Sequence, residues 1–132
     1  MNDNCEIWEL IAHDNFCVFN KSIARKLKSL HAAVLLGELA SEYRYYKSKG
    51  LLDEDGMFFS TVENIEQNIC LNDYEQRKAL QLLIDVGVVS TKRKGLPAKR
   101  YIKLNSSALI SLLVSSSPAH RELDLQHIET NK

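Results

Sequence analysis

Two helix-start signatures stand almost back to back in this chain, and they leave little freedom for what lies between them. Ser60 and Glu63 sit three residues apart ahead of an apolar-periodic stretch, and Asn72 and Glu75 repeat the spacing. In such a box the first side chain and the later carboxylate satisfy backbone N–H groups that a helix leaves without partners. A helix over Thr61–Ile69 and a second over Asp73–Val86, stopped by Gly87, are therefore joined by only Cys70-Leu71-Asn72. That is the spacing of a helix-turn-helix.

The flanking sequence supplies the elements around this pair. Upstream, Ile23, Ala24, Leu27 and Leu30 share one face of a short helix led in by Asn20 or Lys21, and Phe16-Cys17-Val18-Phe19 reads as a brief strand. A long helix spans about His31 to Lys49, with Leu35, Leu36, Leu39, Ala40 and Tyr43 stepping by three and four before Gly50. An acidic loop, Leu51–Gly56, leads to the β-prone Met57-Phe58-Phe59. Downstream, Val88–Thr91 and Tyr101–Leu104 form the arms of a hairpin around Lys94-Gly95-Leu96-Pro97. Asn105 or Ser106 caps a last short helix, Ala108–Val114, whose nearly all-apolar sequence needs a surface to pack on. Ile7, Trp8, Leu10 and Ile11 form an amphipathic N-terminal segment suited to dimerisation, and Ser115–Pro118 ends order ahead of a weakly structured tail.

Formal charge is zero, but the signs are sorted along the chain. Residues 51–75 carry seven acids and no Lys or Arg, while residues 92–103 carry six cations and no acid. A neutral chain can thus still present a cationic face to a polyanion. Several function classes are disfavoured at the same time. Cys5, Cys17 and Cys70 form no C-x-x-C and read as small apolar residues, and His13, His31, His120 and His127 are too scattered for a metal site. Capping accounts for Ser60-Thr61, no glycine-rich phosphate loop exists, and no acid, His and nucleophile cluster is visible, so no catalytic residue, cofactor or metal is expected. The longest apolar runs fall short of the roughly 18 residues that span a membrane, and the acidic opening Asp3, Glu6, Glu9 lacks the basic start of a secretory signal, which points to the cytoplasm.

A recognition helix followed by a basic hairpin suggests where a duplex would sit. On a helical wheel Ala79, Leu80, Leu83 and Val86 lie to one side of residues 73–86, and Tyr74, Arg77, Lys78 and Gln81 to the other. Arg77 is suited to guanine, Gln81 to adenine, Lys78 to phosphate or guanine and Tyr74 to phosphate or a base edge. Lys92, Arg93, Lys94, Lys99 and Arg100 are the expected phosphate contacts of the hairpin. Six cations without an acid repel one another at a cost that a merely solvated hairpin has no reason to carry.

Residues 57–105 carry a resemblance. Phe58-Phe59-Ser60-Thr61-Val62-Glu63-Asn64-Ile65, followed by Lys92-Arg93-Lys94-Gly95-Leu96-Pro97-Ala98-Lys99-Arg100-Tyr101, is similar to winged helix-turn-helix domains of phage, plasmid and integrative-element proteins from Gram-positive bacteria. These include the N-terminal domains of DnaD-like replisome organisers and replication initiators. The likeness extends over Phe16–Lys49 and implies a mainly α fold with a small β-hairpin, DNA binding through helix and wing, and a homodimer. Such initiators continue into a further C-terminal domain, so a stand-alone transcriptional regulator or replication accessory factor fits this length better.

The organisation expected is an N-terminal segment over 1–20, a winged-helix domain over 21–114 and a tail over 115–132. Within the domain the helix-turn-helix occupies 60–87, the wing 88–104 and the last helix 106–114. A second reading keeps the same fold but makes a host or phage protein the partner, engaged through the acidic stretch or the helix Ala108–Val114.

Overall fold

The computed structural model describes residues 16–114. The amphipathic segment around Trp8 and the tail after Val114 lie outside the described residues. Among the described residues five helices and three short strands come in the order α1 (Lys21–Leu27), α2 (Leu30–Ser48), β1 (Phe58–Phe59), α3 (Val62–Ile69), α4 (Asp73–Asp85), β2 (Val89–Lys94), β3 (Lys99–Leu104) and α5 (Ser106–Val114). The domain is mainly helical with a three-stranded antiparallel sheet of order β1-β3-β2. None of the described helices is long and apolar enough to cross a membrane.

Local chemistry sets most of the helix starts. The Asn20 side chain accepts from the Ile23 N–H at 3.1 Å, and Ser29 accepts from Ala32 at 3.0 Å. The capping box at Asn72 and Glu75 is complete, with both reciprocal hydrogen bonds formed at 2.8 and 2.9 Å. Gly87 follows α4 with φ of 81°, a left-handed conformation that glycine adopts without steric cost.

Three expectations are revised. The cap of α3 is Thr61, which accepts from the Asn64 N–H at 3.1 Å; Ser60 is buried and turned toward α2 instead. Leu30 opens α2 and is exposed, because the chain breaks at Lys28, whose φ of 52° ends α1. Phe16–Phe19 forms no strand: it is an exposed segment that meets α2 at Gly37, where a Cβ would stand 1.9 Å from the Val18 carbonyl oxygen.

The core gathers where α2, α4 and the sheet meet. Leu35 and Leu39 of α2, Ile65 of α3, Ala79 and Leu83 of α4, Phe58 of β1, Val89 of β2 and Ile102 of β3 are each almost wholly buried and form one cluster. Tyr46 stacks on Phe58 with ring centroids 5.8 Å apart, which ties the far end of α2 to the sheet. This packing fixes α4 across α2 and leaves its other side free, while the hairpin of β2 and β3 projects beyond the core.

Candidate nucleic-acid interface

Burial sorts α4 by its helical period. Ala79 and Leu83 face the core together with Gln76, while Tyr74, Arg77, Lys78 and Gln81 are all exposed on the outer side. Each of these four has a neighbour on the same helix. Arg77 Nε lies 3.3 Å from Asp73 Oδ2, Gln81 Nε2 donates to Asp85 Oδ1 at 2.8 Å, and Lys78 Nζ stands 5.4 Å from the Tyr74 ring centroid. Exposed pairs of this kind contribute little to stability, so a ligand can exchange them at small cost.

Gln76 is a functional part that the wheel alone does not flag. It is 2% exposed, and its Nε2 donates to the carbonyls of Val62 at 3.0 Å and Leu71 at 2.8 Å. One amide thus ties the start of α3 and the connecting turn to α4, which sets the angle between the two helices. Its spacing of three and seven residues from Ala79 and Leu83 was the available signal.

The hairpin register divides the cations into two groups. Arg93 faces Arg100 and Lys94 faces Lys99 across β2 and β3. Opposed residues share a face of the sheet, so Arg93 and Arg100 stand on the side of Ile102 and Val89, turned toward the helices. Lys92, Lys94, Lys99 and Lys103 lie on the other side with Tyr101. Two like-charged pairs directly opposed are mutually destabilising unless counter-charge is supplied.

For Lys94 the protein supplies it. Its ammonium pairs with the Asp53 carboxylate, stands 3.4 Å from Asp55 Oδ2 and lies 5.1 Å from the Tyr101 ring centroid. The hydrogen bond from Lys94 holds the Asp53 carboxyl below its ordinary range, and the same contact raises the Lys94 ammonium. The structure therefore uses Lys94 as a clamp between the hairpin and the acidic loop, and takes it out of the set of free cations. Two of the seven acids of the 51–75 stretch are engaged by this one ammonium.

For the arginine pair the protein supplies only part. Arg100 is half-buried, and its Nε donates to the Ser60 carbonyl at 3.2 Å. Below it, Ser60 Oγ donates to Glu42 Oε1 at 2.7 Å. Burial pushes the Glu42 carboxyl up while the Ser60 hydroxyl pulls it down, and burial lowers Arg100 against the opposing field of Glu42. The Arg93 side chain is exposed and makes no ion pair or hydrogen bond among the described residues. Between the two guanidinium groups and the start of α3 lies a hollow of about 270 Å³, lined also by Thr61, Glu63 and Lys99. Lys99 Nζ stands 5.1 Å from the Phe59 ring centroid at its edge. Three cations and one carboxylate line the hollow beside the start of α3, a lining suited to an oxyanion.

Among the described residues no group of three or more His, Cys, Asp or Glu side chains is placed to hold a metal ion. No protein-family model, curated protein or solved structure matches this chain.

Proposed function

We propose that the chain is a winged helix that binds double-stranded DNA, with α4 in the major groove and the β2–β3 hairpin laid along the phosphates as the wing. The observation that carries this reading is the opposition of Arg93 and Arg100 at the hollow beside the start of α3. Two guanidinium groups opposed across a strand pair, neither of them ion-paired with a carboxylate among the described residues, are relieved when an anion sits between them. A backbone phosphate fits both the charge and the forked donor geometry. The order long helix, strand, helix, tight turn, helix, hairpin also supports the winged-helix assignment. In this reading Arg77, Gln81, Lys78 and Tyr74 meet base edges or phosphates, and Lys92, Arg93, Lys99 and Arg100 meet the backbone.

The resemblance of residues 58–65 and 92–101 to winged helices of mobile elements makes the physiological role a transcriptional regulator or a replication accessory factor, acting in the cytoplasm. A homodimer belongs to the same proposal. Its support is α5, where Ile110, Leu113 and Val114 are exposed although the helix is almost wholly apolar.

Binding to mixed duplex DNA across a salt series tests the reading. The parent is expected to show a log–log slope of roughly −3 to −6, and Arg93→Ala/Lys99→Ala to lose about two units of it. Micromolar protein without salt-sensitive binding to any duplex, including DNA from its own locus, overturns the DNA reading and leaves a protein partner as the ligand.

A further inference from the structure

We propose that residues 122–131 of this same chain dock in the groove between the α1–α2 corner and α4, and cover one flank of the outer face of α4. The groove measures about 690 Å³ and is lined by Lys28, His31, Tyr74, Lys78 and Leu82 over Ala79. Its character is mixed. Tyr74 and Leu82 present exposed apolar surface, while Lys28 and Lys78 bring two cations that form no ion pair with a carboxylate among the described residues. The one acid at this wall, Glu75, is already engaged: its carboxylate accepts from the Asn72 N–H at 2.9 Å and lies 3.9 Å from His31 Nε2. The groove therefore favours an occupant that is apolar and acidic in alternation.

The chain itself carries such a segment. Lys26 Nζ donates to the carbonyls of Leu112 at 2.6 Å and Leu113 at 2.7 Å, which anchors the end of α5 against the last turn of α1. Lys28, two residues beyond Lys26, lines the groove. The last described helix thus ends against α1, the helix that leads into the Lys28 corner of the groove. Residues 115–121 reach at most about 25 Å when extended, enough to bring residues 122–131 over the groove. That segment holds Glu122, Asp124 and Glu129 with no Lys or Arg, interleaved with Leu123, Leu125 and Ile128. Carboxylates for Lys28 and Lys78, and leucines for Tyr74 and Leu82, match the lining in both charge and hydropathy.

Docking is intramolecular, so the short tether raises the effective concentration of the segment at the groove into the millimolar range. Tyr74, Lys78 and Gln81 line this groove and belong to the proposed DNA-reading set. On that reading, which this consequence rests on, the segment and the duplex exclude each other.

The test uses the full chain labelled with nitrogen-15, comparing the parent with Leu123→Ser/Leu125→Ser/Ile128→Ser. Backbone amides of residues 28–31 and 74–82 are expected to shift while those of the core strands stay in place, and Lys28→Glu is expected to move the same set. The shifts should not change on dilution. Unmoved amides overturn the proposal, and so do shifts that fade on dilution, which would make a second copy the occupant. Duplex affinity is the second readout: the triple variant is expected to bind about five- to tenfold tighter, since a segment docked most of the time leaves only the undocked fraction of molecules competent. Amides that move in a protein without duplex binding leave the docking standing and remove the DNA reading. Equal duplex affinity with unmoved amides does the reverse.

Discussion

The side chains that decide this fold's chemistry are those whose partners lie far away in sequence. Ser60 is the clearest case. Its hydroxyl reaches back to Glu42 on α2 and holds a carboxylate that burial already pushes above its ordinary range. Ser60→Ala removes that donor and leaves the charged form less well satisfied, at a cost of about 1–2 kcal/mol near neutral pH. This fixes the sign of the pH dependence. A carboxyl whose folded value is raised is disfavoured only while ionised, so the deficit of the variant shrinks as the pH falls and Glu42 takes up a proton. Chemical denaturation of parent and variant at two pH values measures this. Asp53 behaves in the opposite sense, because Lys94 lowers its folded value. The stabilisation it supplies is present above the ordinary carboxylate range and is lost as the pH falls through the lowered folded value. Asp53→Asn should therefore melt below the parent at pH 7, and the gap between their melting temperatures should close below about pH 4.

At the scale of elements, what could be read from the sequence was whatever depended on neighbours within a turn or two. The Asn72–Glu75 box, the Gly87 stop and the buried stripe of Ala79 and Leu83 are local, and α4 has the extent and faces its sequence implies. Ser60 and Glu63 carry the same spacing as Asn72 and Glu75, yet the cap falls on Thr61, because a hydroxyl at position 60 gains more from a carboxylate on α2 than from its own helix. The pairing of Lys94 with Asp53 joins residues on two loops of opposite charge, which charge counts along the chain record only as separate clusters. The division of the hairpin cations into two faces needed the register, which no count of cations supplies. The segment Phe16–Phe19 has strand-like composition, but it pairs with none of the three described strands; it rests on the bare backbone of Gly37 in α2. Gly37→Ala is a direct check on that contact. Alanine would favour the isolated helix by about 1 kcal/mol, but its Cβ cannot coexist with the Val18 carbonyl in its present place. The segment is expected to lift from α2, moving the exposed Cys17 thiol away from the Val34 carbonyl and from the partial desolvation and Glu38 charge that now hold its pKa up. Thiol labelling at Cys17 should accelerate several-fold while the helical circular dichroism is retained; an unchanged labelling rate would refute the close approach.

For the whole molecule the governing fact is that zero net charge is distributed, not cancelled. The acids of the 51–75 stretch are largely consumed by contacts inside the domain: Asp53 and Asp55 by Lys94, Asp73 by Arg77, Glu75 by the cap of α4. The hairpin arginines and Lys92, Lys99 and Lys103 have no such ion pairs among the described residues, so the hairpin keeps a cationic surface. If that surface and α4 act on one duplex, they must do so through different physics, and substitutions should separate them. Arg93→Ala removes a charge that meets the backbone, so its affinity loss should be equal for every duplex and its log–log salt slope should fall by about one. Gln81→Ala removes a donor and acceptor pair without changing the charge. Its loss should be confined to the preferred sequence, at about 1–3 kcal/mol, with the salt slope unchanged. Lys94→Ala, by contrast, frees Asp53 and Asp55 next to the hairpin and should weaken all duplexes while leaving the number of phosphate contacts intact. Titrating the three variants against a selected site and a scrambled duplex at several salt concentrations resolves these patterns. A Gln81→Ala loss that is the same on both duplexes would mean that α4 lies against the duplex without reading it.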